Sequence, residues 1–151
     1  MEKTVKTKKI RIADSITSIG LEYGRSLDCS KVTSIGFTSL EIPSSLASIG
    51  EHAFLNCNGL TGITVDIDNP AYRSNGNCLI RKNDNTLILG CKNSVIPLSV
   101  TSIGNDAFKD CSGLTSIVIP LSVTNIGNNA FSGCSGLTSI VIPLSVMSIG
   151  V

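Results

Sequence analysis

The six cysteines are the side chains with which this chain could most readily do chemistry: Cys29, Cys57, Cys78, Cys91, Cys111 and Cys134. No two of them are separated by two residues, so the spacing indicates neither a zinc site nor a thioredoxin-type redox motif. Of these, Cys57, Cys111 and Cys134 share one position of the repeat described below, where they would form a column with neighbours about 5 Å apart. That separation permits a disulfide, but parallel side chains satisfy its dihedral angle poorly. We therefore expect reduced, buried thiols that act as small apolar side chains.

The other candidate catalytic groups are isolated. His52 is the single histidine, and later repeats place Asp106 and Asn129 at its position, which predicts an exposed residue rather than a metal ligand or triad member. Asp66 and Asp68 form a close pair of carboxylates, but they belong to a turn and offer too few ligands for calcium. No phosphate-binding glycine loop occurs. The sequence therefore predicts no catalytic residue, no metal and no cofactor.

Composition and charge exclude several function classes. The chain is 42% hydrophobic but only 4% aromatic and 15% charged, well below the roughly 25% charged residues of an ordinary domain. The net charge of +1 gives no reason to expect nucleic-acid binding. No run of about 18 apolar residues predicts a membrane-spanning segment, and no apolar signal-peptide core is present.

Basic residues are concentrated at the N-terminus, which carries five of them: Lys3, Lys6, Lys8, Lys9 and Arg11. The simpler interpretation is a solvated end that keeps the chain soluble. The alternative is contact with an anionic surface.

An internal repeat dominates the sequence. Leu98–Pro120 and Leu121–Pro143 differ at four of 23 positions, a third copy begins at Leu144, and Ser44–Val65 is a more divergent one. A period of 23 falls within the range of leucine-rich repeats. Each such unit buries its apolar half only against its neighbours, so stacked coils are predicted.

Within each unit, the residue pattern predicts one strand, one corner and one helical turn. Apolar residues alternate at Ile117–Ile119 and at Ile140–Ile142, which indicates strands, and a proline ends each run. Gly127 permits a sharp corner. Ala130, Phe131 and Cys134 would then fill the far side of the coil on a single helical turn: these three positions recur in each copy.

Two parts of the chain depart from the regular period. An apolar-x-x-Ile-Gly phrase ends at six glycines: Gly20, Gly36, Gly50, Gly104, Gly127 and Gly150. Its early spacing indicates that residues 1–43 form an irregular N-terminal coil or cap, ahead of a repeat array over 44–151. Residues 66–89 are an insertion in that array, and the short β-type runs Cys78–Lys82 and Thr86–Leu89 predict a β-hairpin there.

The repeated string I-G-x-x-A-F-x-x-C-x-x-L-x-x-I-x-I-P-x-S-V resembles the BspA-like class of leucine-rich repeat. Ile103–Val123 and Ile126–Val146 carry it, Ile49–Val65 carries a weaker form, and Tyr72–Pro97 resembles an insertion found in that family. With the repeat, the resemblance implies an α/β repeat solenoid, a β-rich right-handed superhelix with short helical turns, about five coils and one hairpin insertion. It also implies a cell-surface or secreted location, with the cytoplasm as the alternative, and roles in adhesion and in binding host or matrix proteins. No catalytic residues accompany it.

The candidate ligand-binding residues lie on the predicted strand face and on the insertion. Val95, Val118 and Val141 should point outward in a stripe about 10 Å long, and an exposed apolar stripe is typical of a binding surface. β-propensity alone is the other explanation for these valines. Four further candidates are Ser116 and Ser139, which flank the stripe, and Tyr72 and Arg73, which lie on the insertion. A solvated hairpin without a ligand would explain the two insertion residues equally well.

The sequence therefore predicts a non-enzymatic module that binds a protein or glycan ligand. The alternatives are a structural spacer of a longer repeat protein, and an enzyme whose site would need a deep polar pocket around His52. The array reaches Val151 without a polar capping repeat, which predicts end-to-end self-association or continuation into further repeats.

Overall fold

Short strands in stacked coils make up the fold of the computed structural model, which describes residues 8–29 and 38–151. The predictions for Lys3, Lys6 and Gly36 lie outside these residues. The strands are β1 Lys8–Arg11, β2 Ser18–Ile19, β3 Leu27–Asp28, β4 Thr38–Ile42, β5 Ser48–Ile49, β6 Phe54–Leu55, β7 Gly62–Val65, β8 Tyr72–Asn75, β9 Cys78–Arg81, β10 Thr86–Leu89, β11 Ser102–Ile103, β12 Asn125–Ile126 and β13 Ser148–Ile149.

The 23-residue period is the spacing of the coils. The strands β11, β12 and β13 pair in parallel, and Ile103 lies opposite Ile126, which lies opposite Ile149. The glycine after each strand donates its N–H to the preceding coil at 2.8 Å, and the donor–acceptor pairs are Gly104–Leu87, Gly127–Ile103 and Gly150–Ile126. The predicted stack of repeats along one axis is therefore confirmed.

The first coils follow the same scheme, with 30 residues from Ile10 to Leu40 and the regular 23 from Leu40 to Ile63. The strands β1, β4 and β7 form a parallel sheet in which Ile10, Leu40 and Ile63 share one register position. Two further parallel pairs, β2 with β5 and β3 with β6, join the same coils at other points of their circumference. The fold is thus a β-rich repeat with parallel strands.

The insertion lies inside the array. Strands β8, β9 and β10 pair in antiparallel fashion and complete a six-stranded sheet in which β10 also pairs in parallel with β11. Gly76 and Asn77 have φ of 59° and 56° at the turn between β8 and β9, which is the pair of left-handed residues that a type I′ turn requires. The Asn77 side chain accepts the Ile63 N–H of β7, so this turn packs against the first sheet.

The predicted strands at Ile117–Ile119 and Ile140–Ile142 are wrong. The equivalent residues of the earlier coils are strands, as β7 shows, but these later runs join no ladder in the described structure. The later coils pair with each other through β11, β12 and β13 instead. Each of the two isoleucine runs lies between two turns and is followed by a proline, which has no N–H to donate. The alternation survives nonetheless, since Val118 is exposed and Ile119 is buried.

The predicted helical turn around Ala130, Phe131 and Cys134 is also wrong. Asn129 and Gly133 have φ of 54° and 74°, and a left-handed residue at every fourth position cannot continue a right-handed helix. The N–H groups of Ser132 and Cys134 bond three residues back, as in successive turns, while the carbonyls of Ala130 and Ser132 accept N–H groups of the preceding coil. A 3₁₀ turn at Leu21–Tyr23 is the one helical element among the described residues, and no described helix is long and apolar enough to cross a membrane.

A disulfide joins Cys29 to Cys57 across two adjacent coils, which corrects the expectation that all six thiols are reduced. Sequence reasoning placed Cys57 in a column with the later cysteines, whereas its partner comes from the preceding coil, whose period differs. The predicted burial of the remaining thiols holds for Cys78, Cys91 and Cys111, while Cys134 is half-buried.

Aliphatic side chains fill the interior in two adjoining clusters. The first surrounds Leu40, Leu60 and Ile63, and the second surrounds Ile103 and Phe108. Among the buried polar residues described, Asn69 makes the most side-chain hydrogen bonds, and all of them are to the main chain. Its Nδ2 donates to two carbonyls and its Oδ1 accepts two N–H groups, at 2.8 and 2.9 Å. The predicted turn around Asp66 and Asp68 leads into this bonded corner.

We expect Gly127→Ala to lower the free energy of unfolding by about 2 kcal/mol, the usual cost of overpacking a close contact. An added Cβ would lie 2.5 Å from Asn105 Oδ1 and 2.6 Å from Asn105 N. Urea unfolding followed by circular dichroism measures the change. Gly62→Ala is the matched control, because its Cβ would meet no atom closer than 3.4 Å. Equal stabilities of the two variants would contradict the close approach of the coils.

Replacing both Cys29 and Cys57 with alanine should destabilise the protein by about 3 kcal/mol, because the unfolded chain is no longer closed into a loop. Urea unfolding with and without dithiothreitol separates loss of the bond from loss of side-chain packing. The reductant should destabilise the wild type and leave the double variant unchanged. A wild type that is indifferent to reductant would show that the bond does not form.

Candidate functional site

The valine stripe, defined as Val95, Val118 and Val141, faces solvent as predicted. Their side chains are 71%, 81% and 80% exposed, and Ser116 and Ser139 beside them are exposed as well. Val95 and Val118 are each followed by a buried isoleucine, as alternation along the coil predicts, whereas Ile142 after Val141 is itself exposed. The exposure is confirmed, and a binding role for these five residues stays a prediction.

A second exposed row, which sequence reasoning missed, runs beside the stripe. Leu98, Leu121 and Leu144 are 82%, 76% and 101% exposed. Each leucine comes directly after the proline that ends a coil's apolar run, where a turn interrupts the alternation. The signal was nonetheless present, because these leucines recur with the same period as the valines. The two rows together form what we call the aliphatic face, and exposed apolar surface of this extent is typical of binding sites.

Tyr72 does not belong to a surface site, and that part of the prediction is wrong. Its side chain is buried, and its hydroxyl accepts the Ile49 N–H of β5 at 2.8 Å. Burial raises the pKa of this phenol. The hydroxyl thus takes the place of a neighbouring strand at the edge of β5, which pairs only with β2 among the described strands. This is a structural role.

The basic side chains of the insertion are engaged within the protein. Arg73 donates to Asn85 Oδ1 at 3.1 Å and to Ser99 Oγ at 2.9 Å. Arg81 forms a two-pronged bond with Asp84 that raises the pKa of the guanidinium and lowers that of the carboxyl. Lys82 donates to the Asn69 carbonyl. Arg73 stays a predicted binding residue. A ligand that binds it would replace its hydrogen bonds to Asn85 and Ser99 or share their donor.

The four free cysteines are held as thiols. Burial raises the pKa of Cys78 and of Cys111 to about 11, and it also raises the pKa of Cys91 and of Cys134. Since the thiolate is the nucleophile and the metal ligand, these side chains are less reactive at neutral pH than ordinary cysteines.

His52 is exposed, and it lines a broad solvent-open groove of about 890 Å³ between β5–β6 and residues 104–110. Its Nδ1 lies 3.8 Å from Asp106 Oδ2, but in the described structure no hydroxyl or thiol bonds to the imidazole, since the Ser26 hydroxyl donates to the His52 carbonyl. No three His, Cys, Asp or Glu residues of the described chain are grouped to hold a metal ion. The arrangement supplies a histidine and a carboxylate without the third group that acyl-transfer chemistry needs.

Comparison with protein families gives one match that covers most of the chain. The model described as the BspA type leucine rich repeat region matches six copies, over residues 29–76 and 87–151. No curated protein matches the sequence.

Solved bacterial structures share the fold at low sequence identity. A leucine-rich repeat protein from Eubacterium ventriosum superposes with a TM-score of 0.66 and 22% identity over 95% of this chain. The pneumococcal vaccine antigen PcpA gives 0.66 and 20% over 92% of the chain. A leucine rich cell surface protein from Faecalibacterium prausnitzii gives 0.59 and 26% over 94%. The chain spans 50%, 40% and 49% of these proteins, respectively.

Thiol reactivity tests the burial of the cysteines. At pH 8 we expect Cys78 and Cys111 to react with iodoacetamide about 100-fold more slowly than in the urea-unfolded chain, since a pKa raised by two units leaves a hundredth of the thiolate. The rate should keep rising above pH 9, where an ordinary thiol levels off. Mass spectrometry assigns the label to each residue. Rates that match those of the unfolded chain would contradict a buried thiol.

Proposed function

The chain belongs to the BspA-type leucine-rich repeat family, and on that premise we propose that it is a non-enzymatic module that binds a protein or glycan ligand on its aliphatic face. The observation that carries the proposal is the pair of exposed rows, six aliphatic side chains that are each at least 71% exposed. They stand on coils fixed by backbone bonds, so the surface needs no ordering before it binds. Its flanking serines offer hydrogen bonds without charge.

The location that we propose is the cell surface or the extracellular medium. The Cys29–Cys57 disulfide supports it, because structural disulfides persist in oxidising compartments and are rare in the cytosol. The similarity to a Faecalibacterium prausnitzii protein named as a cell surface protein points the same way. The array that we propose has about five coils and one hairpin insertion, with the insertion bracing the two core clusters.

A spacer role is the second candidate, and the last described coil favours it. Leu144, Met147, Ile149 and Val151 are 101%, 85%, 60% and 99% exposed there, and β13 pairs with a neighbour on one edge only. We propose that this apolar cross-section stacks on another coil of the same kind, in an end-to-end contact. Sedimentation at rising protein concentration tests this contact, since a second copy would give a concentration-dependent dimer.

A charge placed on the aliphatic face should weaken ligand binding. We expect Val118→Lys with Val141→Lys to weaken binding at least about tenfold, because burying either valine against a ligand contributes more than 1.4 kcal/mol. The measurement is surface plasmon resonance against whichever matrix protein or glycan the wild type binds in a screen.

The matched control places the same two charges elsewhere on the same coils. Ser112→Lys with Ser135→Lys changes exposed side chains that make no side-chain hydrogen bond in the described structure, and it should bind like the wild type. Unchanged binding by the valine variant, with an unaltered melting temperature, would rule out the aliphatic face as the site.

A further inference from the structure

One coil lacks a segment that its neighbours have. In the complete coils eleven residues lead from the strand isoleucine to the buried leucine, as from Ile103 to Leu114. In the coil of β10, Leu87 lies opposite Ile103, and the chain reaches Cys91 at the equivalent of Leu114 after only four residues. The missing part corresponds to residues 50–56, 104–110 and 127–133 of the other coils, which we call the turn segments.

Turn segments normally bond to each other as neighbouring strands do. The N–H groups of Asp106 and Phe108 donate to the carbonyls of Asn128 and Ala130 at 2.9 and 2.8 Å, and Asp110 N–H donates to Ser132 at 2.7 Å. Every second residue of a turn segment thus presents a donor to the coil on its C-terminal side. The residues between them present carbonyls to the coil on its N-terminal side.

At the shortened coil the N–H donors on one side and the carbonyl acceptors on the other lose their partners. The equivalent donors are the N–H groups of His52, Phe54 and Asn56. Among the described residues nothing accepts from them, because β6 pairs with β3 on its other edge, where the Ala53 carbonyl accepts from Leu27 N–H. Across the groove, the carbonyls of Asn105 and Lys109 receive no donor from the described chain, while the Ala107 carbonyl accepts from Gly90 N–H at 2.9 Å. The His52 and Asp106 side chains meet across the groove at 3.8 Å, which puts the two backbones about 10 Å apart, the room that one extended chain occupies between two others.

The groove also has an apolar contact point and a charge preference. Phe108 and Phe131, at one repeat position, stack with ring centroids 5.2 Å apart, whereas Phe54 at the same position lines the groove with no aromatic neighbour among the described residues. Carboxylates outnumber basic side chains on the walls: Glu22, Glu51, Asp84, Asp106 and Asp110 against Arg81 and Lys109. Two side-chain contacts span the gap, His52 to Asp106 at 3.8 Å and Asn58 to the Asp110 carbonyl at 3.1 Å, and both involve exposed groups.

We propose that this groove binds an extended, basic peptide segment of a partner protein, which takes the place of the missing turn segment. The peptide's carbonyls accept from His52, Phe54 and Asn56, and its N–H groups donate to Asn105 and Lys109, as in other cases of strand addition. An apolar side chain of the peptide rests on Phe54, and lysines at its ends face the carboxylates. This site is separate from the aliphatic face and does not depend on it.

The probe is the chain's own turn segment 127–133, Gly-Asn-Asn-Ala-Phe-Ser-Gly, synthesised with a lysine added at each end. Titrated into the ¹⁵N-labelled protein, it should shift the amide resonances of His52, Phe54 and Asn56 saturably. These amides should exchange freely with solvent in the absence of the peptide and more slowly in its presence. Protection of all three in the free protein, or shifts confined to another surface, would overturn the proposal.

Two variants at one position isolate the backbone donor. Phe54→Ala removes the ring and keeps the N–H, whereas Phe54→Pro removes both, and a proline is tolerated at a strand edge whose N–H is unbonded. We expect the proline variant to bind the peptide about tenfold more weakly than the alanine variant, the effect of one lost hydrogen bond. Equal affinities of two variants with native circular dichroism would contradict strand addition.

A charge variant keeps the proposal testable if the proline variant does not fold. Glu51→Gln with Asp110→Asn should weaken the lysine-flanked peptide and leave the unflanked peptide unaffected at low salt. The lysine variant of Val118 and Val141 should bind both peptides like the wild type, which separates this site from the aliphatic face. Equal binding of the flanked and unflanked peptides to the wild type would remove the claim that the partner is basic.

Discussion

The backbone hydrogen bonds between successive coils are the interaction on which the whole structure depends. They form on both sides of each corner, as in Gly127 N–H to the Ile103 carbonyl and Phe108 N–H to the Ala130 carbonyl. The corner glycines have no Cβ, so the coils approach to strand spacing there. At that spacing the isoleucines stack, and small aliphatic side chains suffice to fill the core of a chain with few aromatic residues. Each coil is therefore stabilised by its two neighbours rather than by a distant centre.

The sequence predicted this stack well, because a 23-residue period with a fixed Ile-Gly phrase leaves few other arrangements. It predicted poorly which part of each coil forms the β-strand that pairs with the next coil. Alternation at Ile117–Ile119 indicates an extended chain, but extended chains pair only where the neighbouring coil presents free groups, and that depends on the whole circumference. The segment around Ala130 resembles a helical turn by spacing, yet its recurring Asn, Asp and Gly residues adopt left-handed conformations. That signal is local and could have been recognised.

The candidate sites divide in the same way. Outward-facing valines follow from alternation alone, so their exposure was predictable, whereas the neighbouring leucines lie in turns where no periodic rule assigns a face. The prediction for Tyr72 was wrong because its burial depends on how the insertion packs against β5, which no repeat pattern in the sequence indicates. The Cys29–Cys57 pairing was beyond reach for a related reason, since Cys29 lies in the coil of irregular period. The groove at His52 arises from a deletion relative to the repeat, and a comparison of coil lengths would have revealed it.

The disulfide gives this one-dimensional array a direction. A stack held by nearest-neighbour contacts loosens from its outermost coils, and without a crosslink either extremity would serve equally. Cys29–Cys57 fastens the coils of β1 to β6 together covalently, whereas the cysteines near β11–β13 are free, so those coils are joined by hydrogen bonds and packing. The coils that carry the aliphatic face can therefore separate without breaking a covalent bond, while the crosslinked coils stay together as a template on which the rest can re-form.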